Sequence, residues 1–134
     1  MTIQRSDKRI IRTSEDIVMV RQLVREWAKA IGMNLVDQTK LITAASELAR
    51  NTFDYGGGGI MVIDQVIEGM KTGLRLTFED KGPGIEDVEQ AIKDGYTTGG
   101  GMGLGLGGAR RLANEFYIDT KPGQGTRVTI VRWK

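Results

Sequence analysis

Apolar residues recur at Ile17, Val20, Val24, Trp27 and Ile31, a spacing of three and four that predicts an amphipathic helix. Ser14 is placed to cap it, Glu15 and Asp16 suit its positive end, and Gly32 marks the stop. A second stripe runs through Leu41, Ile42, Ala45, Leu48, Ala49 and Thr52. It predicts a helix starting near Asp37, with Val36 and Leu41 stapled around the cap, and ending before Gly56–Gly59. The period then changes to two. Ile60–Ile67 and Leu74–Glu79 read as strands joined by a turn, with Leu74, Leu76 and Phe78 on one face and Arg75, Thr77 and Glu79 on the other. Ile10 and Ile11 predict a short first strand within Lys8–Thr13. Beyond Pro83 come a short helix over Glu86–Lys93, a helix over Leu104–Asn114, and a closing hairpin of Phe116–Lys121 and Thr126–Trp133 around Pro122-Gly123. This order predicts an α+β, two-layer sandwich, helices on one face of a mixed or mostly antiparallel sheet. No linker or repeat divides residues 1–134, which predicts one domain.

Composition removes whole classes of chemistry. The chain has 134 residues, no cysteine and no histidine. Disulfide frameworks, Cys/His zinc sites and histidine-dependent nucleophilic triads are therefore excluded. The net charge is +2, and aromatic residues make up 6%. A strand-binding surface of basic grooves and aromatic platforms is not expected on that basis, so no nucleic-acid partner is predicted. No apolar run approaches a membrane span and the N-terminal residues lack a signal-peptide core, so the expectation is a cytoplasmic protein with no membrane partner. Glycine is the outlier: 19 residues, eight of them between Gly95 and Gly108.

Three clusters carry candidate chemistry. Glu47 and Asn51 are one helical turn apart, on a face turned away from the Leu41–Ala45–Leu48 stripe. An amide oxygen and a carboxylate so placed suit Mg²⁺ and base chemistry, although a lone E-x-x-x-N also describes an ordinary solvated face. Asp80 continues the apolar side of its strand, so the alternation turns a carboxylate inward, where it needs donors. Gly82-Pro83-Gly84 follows it and permits close backbone approach, which suits a flat ring bearing an amino group; an Asp opening a Pro-Gly turn is the plainer alternative. Thr97–Gly108 then places glycines where a helix should start, as a phosphate-binding helix N-terminus requires. Gly103-x-Gly105-x-x-Gly108 matches the dinucleotide fingerprint, but no strand precedes it, and no P-loop motif exists.

Taken in order, Glu47–Asn51, Asp80-x-Gly82-x-Gly84 and Gly101-x-Gly103-x-Gly105 resemble the N, G1 and G2 boxes of the GHKL (Bergerat-fold) ATPases, with Asp94–Gly100 as the lid over ATP. The chain is too short for the gyrase, chaperone and MutL branches and lacks the phosphoaccepting histidine of the sensor kinases. It is most similar to the stand-alone serine-kinase branch, and within it to the stressosome switch kinases. Tyr55 stands where the anti-sigma kinases usually carry histidine. The resemblance implies a Mg-ATP-dependent protein serine/threonine kinase that phosphorylates a STAS-domain antagonist and then activates a PP2C-type phosphatase. It implies Glu47 as general base, Asn51 as Mg²⁺ ligand and Asp80 as acceptor for the adenine amine. It assigns Gly82, Gly84 and Ile85 to the nucleotide slot, Gly101, Gly103, Leu104 and Gly105 to the phosphates, and Thr126 to adenine through water. An anti-sigma factor that sequesters a sigma subunit is the rival expectation. A nucleotide-gated binding module without kinase activity is the second.

Overall fold

An alternating strand with one apolar face must bury that face, and here the burial is mutual. The computed structural model describes residues 1–92 and 103–134. Its strands are β1 (Thr2–Ile11), β2 (Gly59–Glu68), β3 (Lys71–Asp80), β4 (Glu115–Thr120) and β5 (Thr126–Trp133). They form one sheet in the order β1-β2-β3-β5-β4, and every pairing in it is antiparallel. Helices α1 (Ser14–Ala30), α2 (Leu35–Asp54) and α4 (Gly103–Leu112) supply the opposing layer, and α3 (Val88–Ile92) is a single short turn of helix. The core forms where Leu74, Leu76 and Phe78 of β3 meet Val24, Leu41 and Leu48 of the helices. The α+β two-layer reading holds, and the sheet is wholly antiparallel among the described residues.

Several local expectations are corrected. The first strand begins at Thr2 rather than Lys8 and ends at Ile11. Its side chains are mostly charged or polar, so it carries little apolar alternation; it is held by backbone pairing along the length of β2. As an edge strand it is guarded by those charges and by an irregularity between Ile3 and Arg5, which discourage further strand addition. Arg5 also stacks its guanidinium 4.0 Å over the Trp27 ring of α1.

The helix caps differ too. Thr13, not Ser14, caps α1: its hydroxyl accepts the Asp16 N–H at 3.2 Å, and the Asp16 carboxylate accepts the Thr13 N–H at 3.0 Å. This reciprocal box satisfies two otherwise orphaned donors. Asn34 caps α2 by accepting the Asp37 N–H at 2.8 Å, so the helix starts at Leu35, earlier than expected. Val36 then lies in the first turn, exposed, and makes no staple with Leu41. Asp37 instead accepts a 2.6 Å hydrogen bond from Arg132, tying the start of α2 to the end of β5. Helix α3 is shorter than Glu86–Lys93, whose last residue lies outside the described residues. Helix α4 stops at Leu112, because the Asn114 N–H turns to the Val131 carbonyl at 2.9 Å and starts the β4–β5 hairpin.

One consequence of the register places the site. Asp80 ends β3 directly opposite Thr126, the first residue of β5. Phe78 and Val128 are the preceding partners on the helix-facing side. The central strands therefore end beneath the C-terminal half of α2 and the start of α4.

Candidate nucleotide site

Asp80 is half-buried, as its position on the apolar face of β3 requires. It shares a slot with Leu48, Asn51, Tyr55, Phe78, Ile85 and Leu106, with Thr126 on the neighbouring strand. Burial raises the pKa of its carboxyl above the usual carboxylate value of 3.8; the Gly82 and Thr126 backbone N–H groups pull the other way, and Glu79 adds to the rise. The Gly82 N–H donates to Asp80 Oδ1 at 2.9 Å. One carboxylate oxygen is thus held by the loop, and the group as a whole is incompletely compensated. A ligand bearing an amine would supply the missing donor.

The loop after Asp80 is pinned from three sides. The Tyr55 hydroxyl donates to the Gly84 carbonyl at 3.2 Å, the Gly123 N–H donates to the Pro83 carbonyl at 2.6 Å, and the Ile85 N–H donates to Thr120 Oγ1 at 3.0 Å. Gly84 has φ +74°, and a β-carbon there would lie 2.1 Å from the Lys121 carbonyl oxygen, so only glycine fits. Gly56 is equally constrained by space. A β-carbon on it would sit 2.3 Å from Asp80 Cγ, which makes the start of the Gly56–Gly59 run a backing for the Asp80 side chain. Sequence reading assigned that run no role. Its glycine count was the available signal, but the neighbour it accommodates is 24 residues away, Asp80 minus Gly56.

Glu47 and Asn51 are separated in environment. Asn51 enters the slot beside Leu48, contrary to the expectation that its face turns away from that stripe. Its Nδ2 is buried with no hydrogen-bond partner among the described residues. Glu47 stays outside the slot, partly exposed, 3.6 Å from Arg50 in a pair of little energetic weight. No cluster of three acidic side chains occurs among the described residues. A hard cation here would take few protein oxygens, Asn51 supplying one from the slot, and complete its shell with phosphate and water, as Mg²⁺ does at phosphate sites. Only the Asn51 amide oxygen suits that role; the orphaned Nδ2 is a donor and would instead face an acceptor such as a phosphate oxygen.

Gly101 and the lid segment 94–100 lie outside the described residues. Gly103, Leu104 and Gly105 form the backbone of the first turn of α4, where N–H groups lack partners within the helix. Leu106, one residue on, lines the slot, so this helix start opens beside it. The antiparallel sheet removes the dinucleotide fingerprint as an explanation of these glycines. Sequence reading missed Gly56, Leu106 and Thr120, and took Tyr55 only as a departure from a family pattern.

A family model described as histidine kinase-, DNA gyrase B-, and HSP90-like ATPase matches residues 36–134. The chain is 46% identical over 123 residues to the serine/threonine-protein kinase RsbT of Bacillus subtilis, covering 92% of each protein. It is 28% identical over 126 residues to the anti-sigma F factor of Anoxybacillus flavithermus, covering 89% of this chain and 85% of that one. Among solved structures, the RsbU and RsbW domains of a Mycobacterium tuberculosis protein match its fold with a TM-score of 0.67 at 22% identity. That match covers 98% of this chain and 33% of the other, so this chain spans a third of the length of that solved chain.

Proposed function

The chain belongs to the histidine kinase-, DNA gyrase B- and HSP90-like ATPases, and from that premise we propose a Mg-ATP-dependent protein serine/threonine kinase of the RsbT type, working by partner switching. The observation that carries the nucleotide reading is Asp80: a half-buried, incompletely compensated acceptor in a largely apolar slot, its side chain closely approached by Gly56 and Gly82. An adenine ring fills such a slot and its amine meets the carboxylate. Gly82, Gly84 and Ile85 shape the ring site, and Thr126 stands beside it. The backbone from Gly101 to Gly105 faces the phosphates in this reading. All three pieces of the site fall within one domain, residues 1–134.

Phosphoryl transfer asks a protein mainly for positioning and charge neutralisation. Mg²⁺ supplies the neutralisation when bound, with the Asn51 amide as its protein ligand. Glu47, one helical turn before Asn51 on α2, accepts the proton of the incoming hydroxyl in this reading, and its partial exposure leaves room for a protein substrate to approach. The substrate we propose is a serine or threonine of a STAS-domain antagonist, and the partner gained after transfer is a PP2C-type phosphatase. The weaker identity to an anti-sigma F factor makes sigma sequestration the alternative.

The test is transfer of labelled phosphate from ATP to a STAS-domain protein. Glu47→Ala should keep ATP affinity and lose transfer by at least about 100-fold, the scale of general-base contributions. Unchanged transfer removes Glu47 from the chemistry, and absence of transfer by the wild type favours the non-catalytic binding module. Pull-down with a sigma factor or with a PP2C phosphatase then separates the two signalling roles.

A further inference from the structure

Thr120 is the last residue of β4, and its hydroxyl oxygen has three polar neighbours. The Ile85 nitrogen lies at 3.0 Å, the Gly125 carbonyl oxygen at 3.0 Å and the Thr126 hydroxyl oxygen at 2.8 Å. A hydroxyl has one proton and two lone pairs. The Ile85 N–H can only donate and the Gly125 carbonyl can only accept. Thr120 therefore gives its proton to Gly125 and takes one from Ile85. Its second lone pair is left for Thr126, which must donate. Only this assignment satisfies all three contacts.

The consequence lies one residue further in. Thr126 is buried and lines the slot next to Asp80, its partner across the strands. With its single proton committed to Thr120, Thr126 turns only lone pairs toward a ligand. The slot then presents two acceptors side by side, a carboxylate and a hydroxyl oxygen. We propose that Thr120 is a positioning residue that fixes the hydroxyl polarity of Thr126, and so makes this wall select a 6-amino purine over a 6-oxo purine. At this wall a 6-oxo group would meet two acceptors. The slot's unpartnered donor, Asn51 Nδ2, is on α2 and not on the strands that carry Asp80 and Thr126. A site with unpaired polar groups rejects its ligand strongly. The inference rests on the nucleotide reading of the Asp80 slot.

The experiment measures by isothermal titration the affinities of ATP and ITP, whose bases differ in the 6-substituent and in the proton that hypoxanthine carries on the adjoining N1. The Thr120 variants are compared by the change in the ratio of the two affinities. Thr120→Val frees the Thr126 proton to turn into the slot. The preference for ATP over ITP should fall about fivefold or more, the value of one hydrogen bond, with ITP binding improving. Thr120→Ser keeps the hydroxyl and should keep the preference. The double variant with Thr126→Val should show the preference of Thr126→Val alone, because Thr120 acts through that hydroxyl. If Thr120→Val does not fold by circular dichroism, Thr120→Ala carries the same expectation. Equal weakening of both nucleotides, or a serine variant that behaves like valine, overturns the inference and leaves Thr120 a structural clamp. Asp80→Asn separates the two levels. If it leaves ATP affinity intact, the nucleotide reading itself fails; if it weakens ATP while Thr120→Val preserves the ratio, only the polarity inference fails.

Discussion

Gly56→Ala adds one methyl group against the Asp80 side chain, at a position no motif predicted, and its effect follows from distances. The new β-carbon would stand 2.3 Å from Asp80 Cγ, 2.5 Å from its Cβ and 2.6 Å from Oδ2. Ordinary contact begins near 3.4 Å, so the two groups must part by 1.1 Å, 3.4 minus 2.3. Turning the carboxylate is not enough, because Asp80 Cβ also lies inside that limit; the end of β3 has to retreat. Gly56 has no left-handed φ, so alanine adds no backbone strain and the collision is isolated. Overpacking of this kind costs about 1–3 kcal/mol, a fall of several degrees in Tm. The retreat takes Asp80 from its Gly82 donor and from the adenine amine. Losing a hydrogen bond to a charged group costs about 1.5–3 kcal/mol, roughly 10- to 150-fold in Kd. Calorimetric titration with ATP and a thermal melt read the two effects separately. A folded Gly56→Ala protein that binds ATP like the wild type refutes the placement of the nucleotide against Asp80.

Asp80 also sets a pH dependence with a definite sign. Burial raises its pKa above 3.8, so over the interval above 3.8 the native state holds more protons than the unfolded chain, and stability falls as pH rises through it. In the nucleotide-free protein, Asp80→Asn should remove that slope and raise Tm at neutral pH while weakening ATP binding; an unchanged slope of stability against pH would show that Asp80 is not the group responsible. Asp16 and Asp37 act oppositely: backbone hydrogen bonds from Arg12 and Thr13 lower the first, and the Arg132 hydrogen bond lowers the second. Their contribution is present above 3.8 and is lost as pH falls through their native values, so Asp37→Asn should flatten the acid limb of a melting profile. Gly108→Ala should stabilise the protein by about 1 kcal/mol, because α4 gains helix propensity where, among the described residues, no heavy atom beyond the adjoining chain and the helix's own backbone lies within 4 Å of the added carbon. A lower Tm in that variant would contradict the open surroundings of Gly108.

The amino-acid order by itself determined the elements whose side chains carry a period. Leu74, Leu76 and Phe78 announced β3 and pointed Asp80 inward, because a strand with one buried face must alternate. The Ile17–Trp27 stripe announced α1, and the three motif fragments, in their order, announced the ATPase family that the family model matches. The tertiary structure decided what has no period. β1 reaches back to Thr2 because β2 offers a backbone ladder, which the charged and polar side chains ahead of Ile10 do not signal. Gly56 has a purpose only against Asp80, and Thr120 only against Ile85, 35 residues away, and Thr126. A close approach or a hydroxyl's one proton is a property of neighbours in space, and those neighbours are brought together by the strand register and by the loops that fold over it.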